Sequence, residues 1–283
     1  MNELPRERPI VVGVDGSKAA LQAALWAVDE AEDRDAPLRL LHVIEHGDSR
    51  DADTLERMSS IAETAIGRAL KAIEATGRQV KTEMEIVRGS AVGSLIEASA
   101  SAAMICVGAV GLRHFRPGRV GSTAAALAVS APCPMAIIRR SHDQPGHSEP
   151  GILVEVDNSP DSAKLLVMAV EEARMRNATV RAIMCRRSVS CDAATDGKRD
   201  RRAVADLDRR LAGCRRRYPH IRVESAAVHN TLLEYLAGNR GSVQLAIVGS
   251  GNREHLQELI GPVGSAVLQD ADCSLLVVNG RHL

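Results

Sequence analysis

The sequence predicts an α/β protein of two tandem doubly wound domains, each a five-stranded parallel sheet with helices on both faces. Two observations carry this. Short apolar, β-branched runs alternate with longer helical patterns, as in a parallel sheet covered on both sides. The whole pattern then occurs twice within 283 residues, a length with room for two domains of about 100–200 residues each.

In the first copy, PIVVGV reads as a buried strand. Residues 17–34 read as a helix with Leu21, Leu25 and Val28 on one face. LRLLHVI is the second strand, residues 51–77 a long helix and VKTEMEIV the third strand. Residues 90–101 form a helix, MICVG the fourth strand, residues 122–131 a helix and MAII the last strand.

The repeat is direct. VGVDGSKAALQAALWAVDEA (12–31) aligns without a gap to VEVDNSPDSAKLLVMAVEEA (154–173), and Val12, Val14, Asp15, Ser17, Ala27, Val28, Glu30 and Ala31 meet identical residues. Near the end of each copy, Cys133 stands opposite Cys273. Domains are therefore expected at 1–140 and 150–283, joined by the polar linker SHDQPGHSE at 141–149.

Composition narrows the function. Lys+Arg and Asp+Glu are both 36, and the aromatic residues are Trp26, Phe115, Tyr218 and Tyr235. A nucleic-acid partner is not expected from balanced charge and so few stacking rings. The basic string at 198–217 is interspersed with Asp200, Asp206 and Asp208 and reads as a solvated helix face. The N-terminal stretch is polar, no run approaches a membrane span, and the six cysteines lack the clustering of a disulfide framework or zinc site. A cytoplasmic protein without membrane attachment is expected.

In a parallel sheet of this kind, ligands bind beyond the carboxyl ends of the strands where strand order reverses. That directs attention to the segments after strands one and four. After the first come Val14, Asp15, Gly16 and Ser17, with Ser17 placed as a helix N-cap. After the fourth comes VGAVGLRHFRPGRVGSTAAAL. Its Gly108 and Gly111 permit close backbone approach, and Gly121, Ser122 and Thr123 open an alanine-rich helix. A helix N-terminus offers unpaired N–H groups and the positive end of the helix dipole to a phosphate.

Gly108, Gly111, Gly121 and Ser122 fit G-x2-G-x9-G-[ST], the nucleotide motif of the universal stress protein family. V-D-G-S after strand one, L-H-V at the end of strand two and A-P-C-P before the last strand also resemble that family. The chain is similar to its tandem, actinobacterial type. The resemblance implies ATP, with or without Mg2+, in the first domain. Asp15 would lie near the adenine–ribose end, and the backbone of Val43 at the adenine edge. Gly108, Gly111 and Gly121 would line the ribose and phosphates, and Ser122 and Thr123 would donate to the phosphates. Arg88 and Gly89 follow strand three and are candidates for the same mouth. Arg113 belongs to a basic loop, Arg113 to Arg119, that is a candidate lid. The resemblance further implies an unidentified protein partner and a homodimer.

The second copy departs from this pattern. Gly261 corresponds to Gly121, Pro262 to Ser122 and Asn252 to Gly111, while a slipped alignment through Gly264 and Ser265 restores Gly-Ser with a longer loop. Proline lacks both the N–H and the hydroxyl, so the second domain is expected to bind ATP poorly. The chain lacks the G-x4-G-K-[ST] phosphate loop and G-x-G-x-x-G. The expected function is a nucleotide-dependent stress regulator without fast chemistry. The alternatives are a slow ATPase or phosphoryl-transfer enzyme, and a nucleotide-gated scaffold.

Overall fold

A computed structural model of the chain describes residues 7–45, 52–112, 119–139, 151–157, 159, 161–185 and 193–279. The chain forms two compact units, dividing at residues 143 and 144. The expected linker at 141–149 lies outside the described residues, as does Arg113.

Unit 1 runs β1 (Ile10–Gly13), α1 (Lys18–Asp33), β2 (Leu38–Glu45), α2 (Ala52–Ala75), β3 (Thr82–Gly89), α3 (Ala91–Ser99), β4 (Met104–Gly108), α4 (Ser122–Ser130) and β5 (Met135–Ile138). Unit 2 runs β6 (Gly151–Glu155), α5 (Ser162–Met175), β7 (Val180–Cys185), α6 (Ala193–Arg217), β8 (Val223–Val228), α7 (Leu232–Gly238), β9 (Val243–Gly249), α8 (Arg253–Ile260), α9 (Pro262–Asp270) and β10 (Ser274–Val278). Within unit 1, β1 pairs in parallel with β2 and β4, β2 with β3, and β4 with β5. Unit 2 repeats the scheme with β6 at the centre.

The expectation of two separate five-stranded sheets is corrected. The strands belong to one ten-stranded sheet in the order β3-β2-β1-β4-β5-β10-β9-β6-β7-β8. The physical reason lies in the last strand of each copy. Every residue of β5 and of β10 is buried, and a buried strand cannot be left as an open edge with unpaired N–H and C=O groups.

Local chemistry explains the element ends. Ser17 caps α1 by accepting from the Ala20 N–H at 3.0 Å, and Thr231 with Glu234 forms a reciprocal capping box on α7. Asp35 and Asn177, at equivalent places in the repeat, adopt left-handed backbone (φ 49° and 47°) just past α1 and α5. The inward face of α1 keeps Val28 of the expected face but is filled mainly by alanine. Ala20, Ala23, Ala24, Ala27 and Ala31 are buried with Trp26 and Val28, whereas Leu21 and Leu25 are half-buried. Small side chains let the helix lie close on an aliphatic sheet, whose strands bury Ile10, Val12, Leu38, Leu40, Met104 and Ile105. On α6, Asp206 pairs with both Arg209 and Arg210, as a solvated, charge-paired face requires. Cys106, Cys133 and Cys273 are buried, and Cys185 and Cys214 are half-buried. Among the described residues, no helix is long and apolar enough to cross a membrane.

Candidate functional site

In unit 1, β1 and β4 are neighbours at the centre of the order, and the loops beyond their carboxyl ends meet. Asp15 joins them. Its Oδ1 accepts the Ser17 N–H at 2.9 Å, and its Oδ2 accepts the Leu112 N–H, also at 2.9 Å, from the loop after β4. One carboxylate thus shapes its own turn and fixes a segment 97 residues away.

The glycines around it serve different ends. A Cβ on Gly111 would lie 2.6 Å from Asp15 Oδ2, inside the hydrogen bond to Leu112. A Cβ on Gly108 would lie 2.5 Å from the Ala19 carbonyl carbon, because the first turn of α1 rests on the end of β4. Gly16 takes φ +89°, the left-handed region that favours glycine. Gly121 has ordinary extended backbone (φ −61°, ψ 149°) and N-caps α4 with no side-chain hydrogen bond. Its own N–H donates to Ala109 at 2.8 Å. The first turn of α4, Ser122 and Thr123 included, therefore carries N–H groups that no cap side chain satisfies.

The structure brings Asp15, Gly16 and Ser17 together with Gly108, Gly111, Leu112 and Gly121. Val14 continues β1 by donating to Leu41 at 2.9 Å, and Val43 lies on β2, paired with Val87. Arg88 and Gly89 are the last residues of β3, two strands from β1, and a Cβ on Gly89 would meet Ser94 Oγ at 2.9 Å. The Ser17 hydroxyl is spent on its cap. Beside this loop, a cleft of about 240 Å³ is lined by Val14, Gly16, Ser17, Lys18, Leu21 and α2 residues including Ala65 and Arg68. The α2 contribution had no motif to betray it; the nearest signal is small residues at helical spacing, Ala62, Ala65 and Ala69.

Unit 2 has a larger cleft of about 700 Å³ at its corresponding edge, built differently. Asp157 stands where Asp15 does, but its Oδ1 accepts from the Ser159 N–H and the Ser162 hydroxyl, each at 2.8 Å. Burial pushes the Asp157 carboxyl up, yet these hydrogen bonds outweigh it and hold it below the usual range. At the sequence positions that correspond to Gly111 through Gly121, unit 2 forms α8. Asn252 is its N-cap, accepting from the His255 N–H at 3.1 Å. Gly261 caps α9 as Gly121 caps α4, and Pro262 is the first helical residue. A Cβ on Gly264 would lie 2.3 Å from the carbonyl oxygens of Glu258 and Leu259. The closing carbonyls of α8 therefore press on the first turn of α9, the end a phosphate would need. The slipped alignment is not the one adopted: Gly264 and Ser265 lie inside α9, and the Ser265 hydroxyl donates to Ile260 at 2.9 Å.

α8 is also held by charge. His255 Nε2 lies 2.6 Å from Glu155 Oε2, and Nδ1 lies 3.9 Å from Glu258. The hydrogen bond to Glu155 outweighs burial and raises His255 above its ordinary value. A raised histidine contributes stability that is fully present below its unfolded pKa of about 6.5 and is lost as pH rises through the folded value. Wild type is therefore expected to exceed His255→Gln by about 1 kcal/mol near pH 6. That margin should fade as pH rises, as read by urea denaturation across a pH series.

Comparison with known proteins places these features. The model of the universal stress protein family matches residues 7–139 and again 151–279. Universal stress protein Rv2028c of Mycobacterium tuberculosis (strain ATCC 25618 / H37Rv) is 50% identical over 285 residues, covering 100% of both chains. Universal stress protein Rv3134c of the same organism is 42% identical, covering 92% of this chain and 95% of that one. The crystal structure of a universal stress protein from Archaeoglobus fulgidus superimposes with a TM-score of 0.70 at 17% identity, covering 96% of each chain, and shares the fold. The chain belongs to the universal stress protein family and carries the family's unit twice in tandem.

Proposed function

We propose that unit 1 binds ATP, with or without Mg2+, and that the chain is a nucleotide-dependent regulator in which unit 2 is a divergent twin. The observation that carries the reading is the pairing of two features. Asp15 holds the loop after β4 in place through the Leu112 N–H, and α4 presents a first turn that no side chain caps. Preorganised backbone donors at a helix N-terminus suit phosphate oxygens. In this reading the Val43 backbone meets the adenine edge, and Gly108, Gly111 and Gly121 border the ribose and phosphates. Ser122 and Thr123 donate to the phosphates, and occupancy biases a partner-facing surface. Unit 2 does not serve ATP, since Pro262 and the end of α8 occupy the equivalent ground.

Ser122→Pro tests the reading by giving unit 1 the residue of its twin. Proline is tolerated at the first helical position, and the extended ψ of Gly121 suits the residue before it. The variant is expected to melt like wild type and to lose about tenfold or more in ATP affinity, measured by calorimetric titration. Unchanged affinity in a folded variant contradicts the phosphate position.

A further inference from the structure

His42 is a buried polar side chain that packing does not explain. It sits on β2, and since Gly13 faces Leu41 in the β1–β2 register, it lies beside Val14. The residue is 9% exposed, and its Nδ1 is buried without a hydrogen-bond partner. An unsatisfied buried polar atom is a penalty that folding alone gives no reason to carry. The twin shows that the slot does not need it. Leu38 faces Ile10 as Val180 faces Ile152, so the residue equivalent to His42 is Met184, 8% exposed. The copy with the intact phosphate motif keeps the imidazole; the copy with Pro262 fills the position with a thioether.

The surroundings of the ring set its charge. Burial favours the neutral form and holds His42 below its ordinary value, while the Val14 carbonyl and the Asp15 carboxylate favour the charged one. Across the sheet its partner on β3 is Ile86, with Arg88 two residues further on. α2, which packs on β2, buries Ala62, Ala65 and Ile66 and carries Glu63 and Arg68 on its exposed side. Lys18 opens α1, and Glu97 lies on α3. Among these, the Asp15 carboxylate favours the charged ring. The same Asp15 holds the Leu112 loop.

We propose that His42 is a positioning residue of the unit 1 site, neutral in the empty protein and protonated as the phosphates of the nucleotide arrive, so that binding takes up a proton from solvent. The inference rests on the ATP reading above. From the α4 end of the site the phosphates add to the pull of Asp15 across a medium of low dielectric, and the imidazolium offsets the longer-range repulsion between Asp15 and the polyanion. By reciprocity, protonating His42 strengthens ATP binding by the factor by which ATP favours the proton.

The test is calorimetric titration of ATP at pH 7.5 in two buffers of different ionisation enthalpy, for wild type and His42→Met. The variant carries the residue native to the twin and is expected to fold and to melt higher than wild type. Wild type should take up a measurable fraction of a proton that the variant does not. Its affinity should rise between pH 8 and pH 6 by about threefold more than the variant's. Titration of the γ-phosphate itself is common to both proteins and cancels in the difference. In wild type, the His42 nitrogen resonances should move toward imidazolium values on addition of ATP. Equal proton uptake in the two proteins, or a ring that stays neutral with ATP bound, overturns the coupling alone. A wild-type chain that binds no ATP contradicts the site reading and the coupling with it.

Discussion

Replacing Asp15 by alanine is expected to weaken ATP binding by about ten- to a hundredfold while leaving the fold intact. The carboxylate accepts two backbone N–H groups, from Ser17 on its own turn and from Leu112 beyond β4. Hydrogen bonds to a charged group contribute about 1.5–3 kcal/mol each. Without Asp15, Gly111 and Leu112 lose their tie to β1, and holding them in place then becomes a cost of binding. Asp15→Asn retains one acceptor oxygen and should fall between wild type and alanine. Asp157→Ala, whose partners are the local Ser159 and Ser162, should leave ATP affinity unchanged. Equilibrium titration of the three variants checks the order. An Asp15→Ala protein that binds within about twofold of wild type would show that the tie does not prepare the site.

The second large effect concerns stability. Gly108→Ala is expected to destabilise unit 1 by about 3 kcal/mol. The added Cβ would sit 2.5 Å from the Ala19 carbonyl carbon, 2.7 Å from its Cβ and 2.8 Å from its carbonyl oxygen. None of these atoms belongs to a side chain that can rotate away, so α1 would have to lift from β4. The twin provides the control. A Cβ on Gly249, at the equivalent strand end, meets only Leu165 Cδ1 at 3.5 Å, an ordinary contact. Gly249→Ala should therefore cost less than about 1 kcal/mol. Urea denaturation of both variants measures the contrast, and equal losses would contradict the close approach of α1 to β4.

Much of this was legible in the residues. Strand and helix positions followed from apolar runs and from caps such as Ser17, because periodicity and capping are local chemistry. Asp15 and the glycines could be placed at one edge because a parallel sheet gathers its carboxyl ends. The role of Asp15 as a bridge to Leu112 was not legible, since a contact across 97 residues leaves no trace in spacing. Of Leu21, Leu25 and Val28, expected on one face of α1, Val28 is buried and the two leucines are half-buried, while alanines fill most of the inward face. A hydrophobic pattern ranks side chains by apolarity, whereas a helix lying close on a sheet selects for size.

The expected division into two five-stranded sheets has a related cause. MAII and SLLVV read alike whether they end a sheet or continue one, and only their complete burial tells the two apart. α8 is hidden in the sequence because its stretch aligns as a degraded copy of the first nucleotide motif. The Asn252 that spoils the motif is an effective N-cap, and it starts a helix. Glu30 and Glu172, identical in the repeat, turned out to be fully buried partners of Arg34 and Arg176. Sequence identity marked those positions without showing that they lie inside.

The central claim is that two copies of one fold provide one nucleotide site, and native mass spectrometry of the full chain in excess ATP tests it most directly. The account predicts that one ATP is retained per chain, and that the Ser122→Pro chain retains none. Two equivalent ATP molecules per chain, or none on wild type, would contradict it.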